Sequence, residues 1–122
     1  MGDRVSISFS NRYGYGDSVA GEDASKLERD ESPVLFCHWG GMDFVNEAYA
    51  YARQLKKEFK GIATYPLGRL EPGTVMVDFI RHITKGMPRV EHNLYLGCTA
   101  EDGDNSDNGH FTIELDSLDE EA

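Results

Sequence analysis

No apolar run in this chain approaches the ~20 residues needed to cross a bilayer. Cysteine is scarce as well. Two thiols, Cys37 and Cys98, cannot make a disulfide framework. They read as free thiols of a cytoplasmic protein, with a Cys37–Cys98 bridge as the alternative should their strands adjoin. Positive charge is the third shortage: 12 Lys and Arg stand against 22 Asp and Glu, a net charge of -10. That balance speaks against direct nucleic-acid binding, which needs cations to displace phosphate counterions. It speaks equally against an anionic membrane surface, and it leaves room for a cationic partner, most simply another protein. The opening Met1-Gly2-Asp3-Arg4 has neither the basic start nor the apolar stretch of a secretory leader. Ser6, the residue a myristoylation signal would use, falls within a predicted strand.

What is present suits a folded domain. Hydrophobic residues make up 39% and aromatics 11% of 122 residues, enough for one packed core and too much for a disordered chain. Val5, Ile7 and Phe9 alternate with serines, predicting a strand with one buried face. Residues 11–17 form a Gly-rich loop carrying Tyr13 and Tyr15, and residues 17–31 a polar excursion rich in acids. Pro33 to Trp39 is mostly apolar and predicts a central strand, which Gly40-Gly41 breaks. Phe44, Ala48, Tyr51, Ala52, Leu55 and Phe59 recur at helical spacing, with Asp43 as cap and Gly61 as stop. A second helix is predicted over 74–85, with Thr74 as cap and Gly86 as stop. Its β-branched start also admits a strand. Val90 to Cys98 predicts a third strand, with Cys98 on the core face, and Phe111, Ile113 and Leu115 a fourth. Residues 101–109 form the polar loop of a hairpin between them. The tail from Ser117 is acidic and frayed. The domain is therefore residues 1–116, α+β in class: an antiparallel sheet of about four strands with two helices on one face, in the order β-β-α-α-β-β.

The corner Cys37-His38-Trp39-Gly40-Gly41 concentrates the chemistry. His38 titrates near neutrality, Trp39 offers a flat binding surface, and the glycine pair lets a ligand approach backbone amides at a helix start. The structural alternative has Trp39 plugging the core below the helix, His38 bonded to a carbonyl, and the glycines making a tight turn. Tyr13 and Tyr15 supply a further recognition surface. Asp104, Ser106 and Asn108, followed by Gly109, match the first half of a calcium loop, but Leu115 stands where the bidentate Glu belongs. Cys37, His38, His92, Cys98 and His110 lack the close pairing of a zinc site. No cofactor or metal is expected.

Gly2-Asp3-Arg4, His38-Trp39-Gly40-Gly41 and Asp107-Asn108-Gly109-His110 together resemble a group of small prokaryotic and phage proteins. In these a short Gly-Asp-Arg strand precedes a His-Trp-Gly-Gly or His-Trp-Asp-Gly corner, and a last strand follows an Asp-Asn turn. The resemblance implies a phage or mobile-element setting and no particular activity. The resulting expectation is a non-enzymatic binding or accessory protein acting on another protein. An acidic DNA-mimic inhibitor is one version of it, and a homodimer through a sheet edge is open. The alternative is a small hydrolase-like enzyme using His38, with Asp43 or His110 as helper.

Overall fold

The structure is a computed structural model that describes residues 2–12, 29–59, 70–91 and 93–118, the side chains of Arg12 and Phe59 excepted. Tyr13, Tyr15, His92, Gly61 and the acidic run 22–28 lie outside these residues. Seven elements follow in order: β1 (Val5–Arg12), β2 (Arg29–Glu31), β3 (Val34–Cys37), α1 (Gly41–Phe59), α2 (Pro72–Ile83), β4 (Tyr95–Gly97) and β5 (His110–Glu114).

β1 is the centre of one sheet. Along one side it pairs antiparallel with β3 at Val5–Ile7 and with β2 at Ser10–Arg12. Ser32 marks the break between β2 and β3. Its hydroxyl accepts from the Phe9 amide while its own amide donates to the Phe9 carbonyl. β3 pairs antiparallel with β4. The other side of β1 takes β5 in parallel, Ser6 opposite His110 through Ser10 opposite Glu114. The α+β class, the two helices on one face and the largely antiparallel sheet follow the hydrophobic pattern. The last two strands do not form a hairpin, however. β4 lies at one edge and β5 beyond β1, so residues 98–109 must cross the sheet.

That crossing corrects the reading of β1 as a strand with one buried face. Val5, Ile7 and Phe9 meet Phe44, Val45, Ala48, Ala52 and Leu55 of α1 and Val75, Met76 and Phe79 of α2 in the core. Ser6, Ser8 and Ser10 point the other way and are buried too. The crossing segment covers that far face: the Asn105 amide donates to Ser6 Oγ at 2.9 Å, and Gly103 sits on the rings of Phe36 and Tyr95, which stack with centroids 4.9 Å apart. Serine suits such a face, because each hydroxyl can satisfy itself without a bulky side chain.

Other local expectations also shift. α1 begins at Gly41, so Asp43 stands inside the first turn instead of capping it. The Gly41 amide is satisfied by the Asp3 carbonyl at 2.9 Å, which removes the need for a side-chain cap. Thr74 is likewise internal: Glu71 precedes the helix without a side-chain cap bond, and Pro72 opens it, having no amide to satisfy. The segment from Thr74 is thus helical as far as Ile83, two residues short of the expected end. Thr84 closes it with amide and hydroxyl bonds to Ile80, and Gly86 follows at φ +85°. The third strand shrinks to Tyr95–Gly97, which leaves Cys98 exposed and not in the core. Residues 29–31, assigned to the polar excursion, form β2. Ser117 and Leu118 are tied down, since buried Lys56 donates to the Leu118 carbonyl at 2.8 Å and Leu118 packs on the core.

Candidate functional site

β1 and β5 start, and β3 ends, at the same end of the sheet, because β5 runs parallel to β1 and β3 antiparallel to it. Gly2-Asp3-Arg4, the His38–Gly41 corner and the Asp107–Gly109 turn therefore converge there. Asp3 joins them. Its amide donates to the His38 carbonyl at 2.7 Å, its carbonyl accepts from Gly41, and its carboxylate accepts from the Asn108 side-chain amide at 2.8 Å. The Asn108 backbone amide bonds the Arg4 carbonyl, and Arg4 reaches Asp107 at 3.5 Å and Asp104 at 3.1 Å. Both glycines of the corner are needed. Gly41 sits at φ +56°, and a Cβ on Gly40 would lie 2.5 Å from the Phe44 Cβ and 2.7 Å from the Cys37 sulfur.

The remaining corner residues divide. The half-buried His38 ring packs on the Gly2 backbone and beside the Trp39 ring. Among the described residues its imidazole has no hydrogen-bond partner, and its carbonyl, not its ring, makes the backbone bond. Trp39 is 50% exposed and does not plug the core. The tight approach of Gly40 to Phe44 fills the space below the helix, and the indole is left outside.

Trp39 instead edges a cavity of about 300 Å³ together with Asp43, Phe44, Glu47, Met87 and Leu94. A neighbouring hollow of about 230 Å³ shares Leu94 and continues past Ile80 to Leu96 and Val90. The two make one apolar groove beside β4, whose outer side is unpaired among the described residues. Leu96 is 56% and Val90 60% exposed, and Met42 and Tyr95 add further accessible apolar surface. Asp43 faces this groove with Trp39, whereas His38 does not line it. The pairing of His38 with Asp43 expected of an enzyme is thus not assembled.

The acidic loop is built from its own carboxylates. Asp102 accepts from the amides of Thr99 and Cys98 and is held below the usual carboxylate range by them. Asp104 is lowered likewise, first by Ser106 and then by the charges of Arg4 and His38. Asn108 turns its donor group, not its oxygen, toward Asp3 and Arg4. Among the described residues no three His, Cys, Asp or Glu side chains are grouped to hold a metal ion. Asp104 and Asn108, two of the three residues singled out as a calcium half-loop, take part in a turn that clasps the chain near Asp3.

One cluster escaped the sequence reading. His110 Nδ1 lies 2.7 Å from Ser6 Oγ, and Nε2 lies 3.2 Å from both Ser8 Oγ and Thr112 Oγ1. Ser8 in turn donates to Glu31. The only available signal was the shared parity of Ser6, Ser8, His110 and Thr112, which cannot be used before the parallel pairing is known. Ser6 and Ser8 are fully buried, so this serine–histidine pairing is not open to a substrate. Burial lowers the His110 pKa, against the raising influence of Glu31 and Glu101. The folded state therefore binds this proton less readily than the unfolded chain does. Stability should fall as pH drops through the unfolded value of about 6.5 and stop falling below the depressed folded value. In chemical denaturation between pH 7 and 5, His110→Asn should show a shallower pH dependence than the parent chain. Equal slopes would sink the assignment.

On the outer side of the helices a second depression of about 540 Å³ mixes Glu58, Asp78, Arg81 and Lys85. Its organising bond runs from Tyr51 Oη to Asp78, which also takes Arg81 at 3.0 Å. Burial, with Asp78 next, raises the Tyr51 phenol far above its ordinary value.

Scans of this chain against family profiles, curated proteins and solved structures each returned no match.

Proposed function

We propose that this chain is a small non-enzymatic binding module that acts on another protein, with the groove between the Trp39 corner and β4 as its docking surface. The observation that carries this is the contiguity of exposed apolar groups. Trp39, Tyr95, Leu96 and Val90 line hollows that already have a packed floor. Aromatic and aliphatic anchors around a pre-formed depression are the usual makings of a binding hot spot. At about 300 Å³ the larger hollow is at the bottom of the range for small-molecule sites, roughly 300–1,000 Å³, and suits one or two side chains better than a nucleotide. The phage or mobile-element setting implied by the motif resemblance is consistent with an accessory role.

The DNA-mimic version has less support. Asp102, Asp104 and Asp107 of the acidic loop are engaged by internal donors, which shape the loop before they shape any outward field. The hydrolase alternative needs a carboxylate joined to His38, and among the described residues none is hydrogen-bonded to it.

Affinity capture with four chains tests the reading: the parent, Trp39→Ala, Leu96→Lys, and Val77→Thr. Val77 is exposed but lines neither hollow. Proteins retained by the parent and Val77→Thr should be lost from the other two. Equal retention by all four would overturn the proposal. Trp39→Ala should unfold within about 1 kcal/mol of the parent, since the ring is half in water already. A loss of about 3–5 kcal/mol would instead be that of a core plug.

A further inference from the structure

The groove also constrains what enters it. We infer that its occupant is an extended segment of a partner protein, added as a strand along β4, with an arginine or lysine side chain seated in the Trp39 hollow. This rests on the groove being the docking surface. Two features define the occupant.

The first is the edge. The outer main-chain groups of β4 have no partner strand among the described residues; Tyr95 and Leu96 of β4 line the smaller hollow, and Leu94, just before the strand, lines both. An extended segment satisfies both at once. Its main chain takes up the free amides and carbonyls, and every second side chain reaches the groove. A helix would fill the hollows but leave the edge unpaired.

The second is charge. Asp43 and Glu47 are four residues apart on α1 and stand on the same rim as the Trp39 ring. Among the described residues neither carboxylate has an ion-pair partner, and no Lys or Arg lines this hollow. The floor is Phe44, Ile83, Met87 and Leu94. Carboxylates above an apolar floor, beside an indole face, match a cation on an aliphatic stem. The stem lies on the floor, the charge meets the acids, and the ring adds a cation–π contact. A second copy of this chain is the poorer occupant. Each copy carries a net charge of -10 and would bring another pair of rim acids to the same place.

The test uses a capped six-residue peptide in which valines alternate with polar residues around one arginine, and a twin with citrulline, which keeps the shape and drops the charge. Trp39 is the only tryptophan, so its fluorescence reports binding at the site itself. The arginine peptide should bind about fivefold tighter than its twin at low salt. Asp43→Asn with Glu47→Gln should erase that preference. Hydrogen exchange at Tyr95, Leu96 and Gly97 should slow on binding. Equal affinity for the two peptides would overturn the cation, and binding without protection of β4 would overturn the added strand. Self-association abolished by Leu96→Lys would make a second copy the occupant and overturn the proposal. The docking-surface reading is judged separately. It fails if the captured proteins survive Trp39→Ala and Leu96→Lys, and it stands if they are lost while the peptides show no preference.

Discussion

Replacing Gly41 with valine should destabilise the chain by about 3–4 kcal/mol, seen as a lower urea midpoint with an unchanged slope. Two costs add. Gly41 holds φ at +56°, where a β-branched residue costs about 1–3 kcal/mol. A Cβ there would also lie 2.1 Å from Asp3 Oδ2. That carboxylate would have to leave, and Asn108 would lose its acceptor, worth about 1–2 kcal/mol. The two parts can be separated. In an Asp3→Ala background the clash is gone, so the same glycine replacement should cost about 1–2 kcal/mol less. An undiminished loss in that background would place the whole effect in the backbone. A single variant as stable as the parent would show that the corner relaxes freely, contrary to the tie between Asp3 and Gly41.

Asn108→Asp removes one nitrogen and should still cost about 2–3 kcal/mol. The Asn108 amide donates to Asp3 Oδ1 and to the Arg4 carbonyl. An aspartate would aim oxygen at both, with a carboxylate against the Asp3 carboxylate. Repulsion raises the folded-state pKa of such a pair above the unfolded value of about 3.9. The folded variant then binds protons more readily than its unfolded chain, so the penalty is full above the raised pKa and shrinks as pH falls through it. Denaturation curves of parent and variant should approach one another between about pH 6 and 3.5. A gap that stayed constant over that range would mean that Asp3 and residue 108 are not in contact.

How much of this was legible in the chain depended on range. Alternation at Val5–Phe9 and Phe111–Leu115, the helical spacing from Phe44 to Leu55, and the glycine corner are local signals, and each marks a real element. The parallel pairing of β1 with β5 is not local. Ser6 and His110 are partners, yet nothing in either strand names the other, and an adjacent hairpin was the simpler solution. The misreading of the far face of β1 descends from that one. With β5 beside β1, residues 98–109 cross the far face, bury Ser6 and Ser8, and turn an apparently solvated alternation into an interior one. The candidate site was half legible. Trp39 was singled out from the sequence, but its exposure turns on the fit of Gly40 against Phe44, and the groove it borders needs Ile83, Met87 and Leu94 from elements that share no motif with it.

The parallel pairing has one more consequence. In a parallel pair, the leading end of β1 and the trailing end of β5 lie at opposite ends of the same ladder. Tension applied between residues 5 and 114 therefore pulls the two strands along their length in opposite directions. The ladder is loaded in shear, and its rungs must yield together, whereas a hairpin would open one rung at a time. The Arg4–Asp107 and Asp3–Asn108 contacts sit at the end of that ladder and share the strain. A partner strand pulling on β4, two strands away, would meet a sheet whose centre behaves as a mechanical clamp.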